Sequence, residues 1–445
     1  MEKKRPVKLI IFLLLVISYN SAYFVRDFIK ITNEAESIHN SLGNVFYYGS
    51  FISLFTFVYG VGKFFLGTVV DRKNERKIFV FALLSCAFTN FVFFVWLVVF
   101  NDDFKNQEGT KKFFLITVPY ILVVIMATTQ AILIPIVFKV FVSWWKLEER
   151  GFYVSLFNVT LGLSAFLLPW AVGLSTSFFK GVFDDVLNGL LLPTLLVIWS
   201  AVLIFFFFPQ SFWIFPTKEE KKFNFREKWC APFFACLKNK FVLTACLVNA
   251  CGYAIRFLPA VWTFKFFASQ GDLSSSNNAK WSYALFELGS VPGNIIFGWL
   301  SYRFWRYRGY FTLISFFMMV VPAFVWTLLL KGELTLDGYK KLLFFFSMSL
   351  FGFTVYNALN FINSITVMDV VKKRYIGTAT GLIGMFGYFG VSLATFLVGY
   401  FSKSTGFSKE TISVLVWELW ITLAVGLVFS FIASVFWKKQ LFGKN

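Results

Sequence analysis

The sequence has few charged residues. Only 15% of its 445 residues are Asp, Glu, Lys or Arg, whereas about 25% is usual for a soluble globular chain. At the same time 58% of the residues are hydrophobic, and 64 residues are phenylalanine. So few polar side chains do not cover that much apolar surface in water. The composition therefore excludes a cytosolic enzyme and a disordered chain, and it predicts a polytopic membrane protein.

Histidine and cysteine are scarce as well. The single histidine, His39, falls in a loop between apolar segments, which excludes a proton relay through histidines within the membrane. Five cysteines in a chain of this length exclude a disulfide scaffold. Cys230 and Cys236 have no histidine nearby to complete a metal site. We therefore predict no metal and no cofactor. The sequence also lacks the clustered acids, histidines or activated nucleophile of a membrane enzyme.

Apolar runs of about 20 residues recur along the chain without alternation of polar and apolar residues, which predicts transmembrane helices rather than barrel strands. The predicted fold class is therefore an all-α membrane protein. An even number of spans places both termini on the same side of the membrane. We predict twelve spans, at 8–29, 45–70, 78–100, 113–143, 151–174, 189–213, 241–268, 281–301, 310–330, 342–368, 377–401 and 412–437.

The net charge of +19 is distributed unevenly between the two sides of the membrane. Segments on the side of the termini carry 26 Lys and Arg against 9 Asp and Glu, whereas the opposite loops carry 11 of each. The positive-inside rule then predicts that both termini are cytoplasmic, in the cell membrane. Because the positive charge is spread over seven short segments, we expect lipid around the protein and no nucleic-acid partner.

The longest internal polar stretch, 214–240, divides the chain into an N-terminal six-helix half, 1–213, and a C-terminal six-helix half, 241–445. A faint repeat supports this division, since Tyr-Phe-Val-Arg at 23–26 corresponds to Tyr-Ala-Ile-Arg at 253–256. Two parallel six-helix halves, related by an axis along the membrane normal, form the architecture of one large transporter class.

Two arginines of this repeat lie inside predicted spans. An ionisable residue at a helix centre costs about 2.5–3.5 kcal/mol on insertion scales, so each one needs a reason. Arg256 lies near the middle of span seven, and Arg26 occupies the equivalent place in span one. A guanidinium presents a planar fork of donors that matches two phosphate oxygens at once. We predict that Arg26 and Arg256 clamp one phosphate group; the alternative is a buried ion pair, such as Arg256 with Glu287.

Other candidates lie near these arginines. Lys63 in span two is either a third cationic contact or a side chain that reaches the membrane surface. Tyr19, Tyr23 and Tyr253 each lie within about two helical turns of an arginine. Their hydroxyl groups either bind a ligand or pack in the core. Glu287 in span eight either balances these positive charges or serves as a titratable carboxylate in the transport path.

Several segments resemble motifs of the organophosphate:phosphate antiporters of the major facilitator superfamily, and the resemblance extends over essentially the whole chain. The matching segments are Tyr59-Gly60-Val61-Gly62-Lys63-Phe64 with Gly67 and Asp71-Arg72, Trp144-Trp145 with Glu149-Arg150-Gly151, Ser155 and Asn158, Phe286-Glu287 with Pro292-Gly293, and Gly377-Thr378-Ala379 with Phe386-Gly387-Tyr388.

The resemblance implies that the chain exchanges inorganic phosphate for a phosphorylated metabolite such as glycerol-3-phosphate or a sugar phosphate. It implies no enzymatic activity, and we expect a monomer. The family's phosphate-binding arginines correspond to Arg26 and Arg256. Residues expected to bind substrate with them are Lys63, Tyr19, Tyr23, Tyr253, Tyr388, Gln130 and Asn158, and residues expected to gate or to balance charge are Glu287, Asp71 and Arg72.

The sequence also departs from the family's pattern. Glycerol-3-phosphate members have a histidine where this chain has Leu161 and an aspartate where it has Val261. Hexose-phosphate members have an acid and a lysine in span eleven, where this chain has Thr380 and Ile383. The identity of the organophosphate therefore stays open. An anion-coupled proton symporter of the same fold and a phosphate-ester membrane sensor remain as alternative functions.

Overall fold

A computed structural model describes residues 5–31, 45–72, 74–100, 110–178, 185–208, 231–268, 273–331, 338–401 and 409–443. Nearly all residues in these ranges are helical, and no β-strand occurs within them. Each of the twelve predicted spans coincides with one helix or with a run of consecutive helices in the part of the chain that is described. The predicted all-helical membrane fold is therefore confirmed. Of the earlier candidates, His39 and Cys230 lie outside the described residues.

Among the described residues up to 208, there are seven helices of at least 12 residues. They are α1 Arg5–Ile31, α2 Val45–Arg72, α3 Glu75–Phe100, α4 Thr110–Ala131, α5 Leu133–Trp144, α6 Leu147–Phe178 and α7 Asp185–Phe207.

The remaining helices begin with the short α8, Ala231–Leu237, which lies in the predicted central loop. After it come α9 Lys240–Ala268, α10 Leu273–Arg303, a 3-10 helix at Trp305–Tyr310, α11 Phe311–Met318, α12 Val320–Lys331, α13 Tyr339–Asn360, a π-helical turn at Phe361–Ile365, α14 Thr366–Val370, a 3-10 turn at Lys373–Tyr375, α15 Ile376–Phe401 and α16 Lys409–Phe442.

Nine stretches of the described residues are long and apolar enough to cross a membrane by length and composition. Helices α6 and α10 contain predicted spans five and eight and are 32 and 31 residues long. At 1.5 Å per residue, helices of that length exceed the hydrocarbon core of about 30 Å.

Backbone contacts divide the chain into two compact units. Unit 1 comprises Met1–Val140 with Leu167–Pro232, and unit 2 comprises Phe141–Phe166 with Phe233–Asn445. The first two-thirds of α6 thus belongs to the unit that contains the C-terminal helices. The division into halves at 214–240 stays a prediction, because residues 214–230 lie outside the described ranges.

In unit 1, α3 packs against α7 and α2 packs against α4, while α1 lies against α7. Polar side chains join some of these helices where they cross. The hydroxyl of Ser21 on α1 donates to the hydroxyl of Ser200 on α7 at 3.0 Å. The Asn90 amide on α3 donates to the Thr194 hydroxyl on α7. Small hydrogen-bonding residues of this kind hold helices together in lipid, where apolar contact alone gives little preference.

In unit 2, α10 packs along α13, and α9 packs against α15 and α16. The contact between α10 and α13 is close enough to require glycine. A side chain on Gly289 would collide with the carbonyl of Ser349, and one on Gly352 would collide with the carbonyl of Phe286. This tight pairing fixes the position of Glu287 on α10 relative to Tyr356 on α13.

Candidate functional site

Arg26 lies near the end of α1 and contacts two tyrosine side chains. Its Nη1 donates a hydrogen bond of 3.2 Å to the hydroxyl of Tyr59 on α2. Its guanidinium carbon lies 4.2 Å from the ring centroid of Tyr23 and 5.5 Å from that of Tyr59. Because Tyr23 precedes Arg26 by three residues, both side chains share one face of α1. The rings hold the guanidinium by cation–π attraction without neutralising its charge.

Lys63 lies against the same tyrosine, Tyr59. Its side chain is only 3% exposed, and its Nζ lies 4.5 Å from the ring centroid of Tyr59. Tyr59 and Lys63 are four residues apart on α2, so they face the same direction. Unit 1 therefore brings two cations, Arg26 and Lys63, to a single buried phenol. Sequence reasoning assigned no role to Tyr59.

Two further predicted residues of unit 1 lie in its core. Tyr19 is buried, and its ring centroid lies 6.5 Å from that of Tyr23, one turn along α1. Gln130 on α4 is 3% exposed, and its amide nitrogen lies 3.3 Å from the sulfur of Cys86 on α3. Tyr19 thus belongs with the aromatic residues near Arg26, while the amide nitrogen of Gln130 contacts α3.

Asp71 and Arg72, predicted to gate or balance charge, end α2 and are half-buried. An ion pair lies close to this end of α2 in the structure. The ammonium of Lys139 on α5 lies 2.8 Å from the carboxylate of Glu75 on α3, and it donates to the Val70 carbonyl at 2.6 Å. Lys139 thereby ties the turn between α2 and α3 to α5, a contact that the sequence does not indicate.

In unit 2, Arg256 also lies against aromatic rings. Its guanidinium carbon is 4.5 Å from the ring centroid of Tyr356 and 5.8 Å from that of Tyr253. The hydroxyl of Tyr356 donates a hydrogen bond of 2.6 Å to the carboxylate of Glu287, which is 2% exposed. Tyr356 therefore connects Arg256 with Glu287. The sequence contains no local signal for this, because Tyr356 lies on α13, far along the chain from both.

Tyr253 and Tyr388 continue the aromatic surface beside Arg256. Their ring centroids lie 5.3 Å apart, and both side chains are buried. They come from α9 and α15, which pack closely at Gly387, where a side chain would meet the Tyr253 ring at 2.8 Å. The structure thus places the predicted residues Arg256, Tyr253, Tyr388 and Glu287 within one aromatic region of unit 2.

Asn158, a predicted substrate-binding residue, belongs to a buried network of amides. Its Nδ2 donates to Asn360 Oδ1 at 2.8 Å. The Asn360 amide donates in turn to Ser155 Oγ and to Asn294 Oδ1, both at 3.0 Å. The network joins α6, α10 and α13 immediately before the π-helical turn at Phe361–Ile365. Such turns are frequent at functional positions of helices.

A second polar cluster lies at one end of unit 2 and is centred on Arg308. This guanidinium is fully buried and lies 3.1 Å from the carboxylate of Asp369. It also donates to the carbonyls of Leu147 at 2.8 Å, Glu148 at 3.0 Å and Ser301 at 3.2 Å. Arg308 therefore fastens the start of α6 to α10 and α14.

Arg150 completes this cluster from the first turn of α6. It donates to the carbonyls of Val142 at 3.1 Å, Trp145 at 3.0 Å and Met368 at 3.2 Å. Burial lowers the pKa of the Arg150 guanidinium, and the nearby Asp369 carboxylate opposes that shift. The sequence shows Arg308 only as a basic residue in a short loop, and it gives Arg150 a place in a family motif without indicating these contacts.

The chemistry of these sites favours anions. Arg26, Lys63 and Arg256 are cations held on tyrosine rings, and tyrosine hydroxyls nearby can donate to an oxyanion. Within the described residues, no group of three or more His, Cys, Asp and Glu side chains is arranged to hold a metal ion.

The chain is a membrane transporter of the major facilitator superfamily, because the profile described as "Major Facilitator Superfamily" matches residues 15–395. It is similar to the glycerol-3-phosphate transporter of Bacillus subtilis (strain 168), with 26% identity over 81% of this chain and 79% of that protein. It is also similar to the hexose-6-phosphate:phosphate antiporter of Escherichia coli (strain K12), with 22% identity over 79% of this chain and 74% of that one.

A third relative is the membrane sensor protein UhpC of Escherichia coli (strain K12), with 24% identity over 86% of this chain and 83% of that protein. Among solved structures, FucP in its outward conformation superimposes with a TM-score of 0.68 at 12% identity, covering 96% of this chain and 98% of that one. The resemblance to organophosphate transporters is thereby confirmed, and the chain is a transporter rather than an enzyme.

Proposed function

We propose that this protein exchanges a phosphorylated metabolite for inorganic phosphate by alternating access, and that Arg26 and Arg256 together bind the phosphate group. The observation that carries the proposal is the environment of the two arginines. Each lies within a helix of a membrane protein, against tyrosine rings. The relatives named for glycerol-3-phosphate and for hexose-6-phosphate with phosphate support this class of substrate.

The proposed binding mode follows from the chemistry of the side chains. A guanidinium donates two parallel hydrogen bonds to phosphate oxygens, and its charge assists both. Lys63 adds a point charge beside Tyr59. Tyr59 and Tyr253 each offer a hydroxyl next to one of the two arginines. Glu287, bonded to Tyr356, provides a carboxylate for hydroxyl groups of the organic part of the substrate. No covalent step is required.

Obligate exchange follows from the same charges. In the proposed cycle, the positive charges of Arg26 and Arg256 repel each other in a poorly solvated site when no anion is bound, which makes closure around the site unfavourable. A bound phosphate neutralises that charge and permits the change to the other face of the membrane. Transport in either direction then requires an anion on each side, so the empty carrier seldom returns.

We also propose that both termini are cytoplasmic, that the protein resides in the cell membrane and that it acts as a monomer. The support for the orientation is the charge distribution, with 26 basic and 9 acidic residues in the segments on the side of the termini.

The experiment that tests the exchange proposal uses the purified full-length protein in liposomes. Uptake of labelled phosphate is compared between liposomes preloaded with phosphate and empty liposomes, and is then challenged with glycerol-3-phosphate, hexose phosphates or triose phosphates. We expect uptake only into preloaded liposomes, with competition by at least one ester. Equal uptake into empty liposomes contradicts obligate exchange.

Two alternative functions each have one supporting observation. A membrane sensor is favoured by the relative UhpC, and it would bind the ester with almost no flux in the same liposomes.

A proton symporter is favoured by Glu287, a buried carboxylate that Tyr356 connects with Arg256. It would take up phosphate into empty liposomes when a proton gradient is imposed, whereas the proposed antiporter would not.

A further inference from the structure

The end of α10 and its connection to α11 contain both aromatic and basic residues. Tyr302, Phe304 and Tyr307 are 53%, 47% and 60% exposed, and Arg303 and Arg306 between them are exposed as well. The guanidinium carbon of Arg306 lies 5.4 Å from the ring centroid of Trp305. Neither the binding of phosphate at Arg26 and Arg256 nor the amide network uses any of these side chains.

The backbone beneath these residues is held firmly. Arg308, which follows them, is the buried arginine that bonds Asp369 and three carbonyls. A side chain on Gly309 would collide with the indole of Trp437, which is itself fully buried. The fixed 3-10 helix Trp305–Tyr310 follows α10 directly, which gives the exposed side chains at 302–307 a defined arrangement.

The end of α16 lies beside this helix and adds to its charge. The ring centroids of Trp305 and Phe442 are 6.3 Å apart, and Phe442 is 38% exposed. Lys438 and Lys439 on the last turns of α16 are exposed. The sequence has no Asp or Glu at 299–311 or 434–443. We refer to the exposed residues Tyr302, Arg303, Phe304, Arg306, Tyr307, Lys438, Lys439 and Phe442 as the basic aromatic patch.

The patch lies at the ends of two candidate membrane spans. By length and composition, the span Trp305–Leu330 begins beside the patch and the span Ile412–Phe442 ends in it. Tyr and Trp side chains concentrate at that level of a bilayer, since their rings prefer the interface to both water and hydrocarbon. Basic side chains at the same level attract the phosphates of anionic lipids. Arginine additionally binds a phosphodiester through two donors at once.

We propose that the basic aromatic patch is a binding site for the headgroup of an anionic phospholipid, with the phosphodiester on Arg303 and Arg306 and the glycerol region against the exposed rings. The two segments contribute four exposed cations and no acid, so the patch complements a negatively charged headgroup. A zwitterionic headgroup also carries a positive charge, and neither segment offers an acid to pair with it. The aromatic side chains favour a lipid over free phosphate, which offers them no apolar surface.

The test is a lipid titration of the full-length protein in detergent, followed by native mass spectrometry, with phosphatidylglycerol and phosphatidylcholine as the two probes. The test variant is Arg303→Gln/Arg306→Gln. The matched control is Lys340→Gln/Lys341→Gln, which removes the same charge from the start of α13 at the other end of unit 2. Inorganic phosphate is added in a separate arm at the same concentration.

The expected result is preferential binding of phosphatidylglycerol, weakened at least about fivefold in the test variant and unchanged in the control. The variant Lys438→Gln/Lys439→Gln changes only exposed residues of the last turns of α16, and we expect it to weaken phosphatidylglycerol binding as well. It replaces the arginine variant in the test if that variant does not fold. Equal binding of both lipids, equal binding by test and control variants, or displacement by inorganic phosphate each overturns the proposal.

Discussion

The hydroxyl of Tyr356 donates a hydrogen bond of 2.6 Å to the carboxylate of Glu287. The ring of the same tyrosine lies under the guanidinium of Arg256, with 4.5 Å between the guanidinium carbon and the ring centroid. One side chain thus contacts both a cation proposed to bind phosphate and a buried acid. Tyr356 thus makes two contacts, a hydrogen bond through its hydroxyl and a cation–π contact through its ring. Different substitutions can remove them separately.

Tyr356→Phe removes the hydrogen bond to Glu287 and keeps the ring. A hydrogen bond to a charged group contributes about 1.5–3 kcal/mol, and its loss leaves Glu287 to compete with phosphate for Arg256. We expect the half-saturating concentration of phosphate in exchange assays to rise about tenfold. Tyr356→Leu, which also removes the ring, is the comparison and should lose more; identical effects of the two variants would show that the hydroxyl has no part in binding.

Tyr59 is expected to act mainly through its ring, because Arg26 and Lys63 both lie against that ring. A cation–π contact contributes about 0.5–2 kcal/mol depending on burial. We predict that Tyr59→Leu weakens phosphate exchange about tenfold or more, whereas Tyr59→Phe retains most of it. The measurement is initial uptake into preloaded liposomes. Wild-type exchange in the leucine variant would exclude a role for Tyr59.

Arg308 and Asp369 form a fully buried ion pair, with side chains 0% and 1% exposed. Removing one partner of such a pair costs about 3–5 kcal/mol, because an uncompensated charge remains buried. We therefore expect Arg308→Met to lower the thermal unfolding temperature of the detergent-solubilised protein markedly. The double variant Arg308→Met/Asp369→Leu should recover part of that loss. A double variant no more stable than Arg308→Met would contradict this assignment.

Gly352 is predicted to tolerate no larger side chain, because a Cβ there collides with the Phe286 carbonyl on α10. Gly352→Val should separate α13 from α10 and disturb the bond between Tyr356 and Glu287. Ala323→Val on α12, also in the core, is a control for added volume without that backbone contact. We expect folding yield to fall more for Gly352→Val, as measured by size-exclusion chromatography; equal yields would argue against a backbone constraint.

Much of the fold can be predicted from the sequence, because continuous apolar segments determine where helices run. The helical spacing of Tyr23 and Arg26 likewise places them on one face, as the structure shows. Tyr59 and Tyr356 could not be identified in this way, since their contacts with the arginines join different helices. In the sequence, Arg308 has the features of an ordinary basic loop residue. Its burial depends on backbone carbonyls at the start of α6, which lies far from it along the chain.

Asn158 illustrates a different limit. Its place in a family motif predicts substrate binding, whereas its amide nitrogen bonds Asn360 in the structure. Sequence spacing does not distinguish a ligand-binding amide from one that joins helices, because both face the interior. Substrate binding by Asn158 remains a prediction.

The most direct test of the phosphate-binding proposal is counterflow of labelled phosphate in proteoliposomes containing Arg26→Lys, Arg256→Lys or the control Arg374→Lys. Arg374 is exposed and also lies against a tyrosine, 4.6 Å from the Tyr375 ring centroid. Lysine keeps the positive charge of arginine but lacks the planar guanidinium that donates two parallel hydrogen bonds to a phosphate. If both arginines bind phosphate, counterflow is lost in the first two variants at normal protein levels and stays at the wild-type rate in the control. Wild-type counterflow in either of the first two variants would contradict phosphate binding by both arginines.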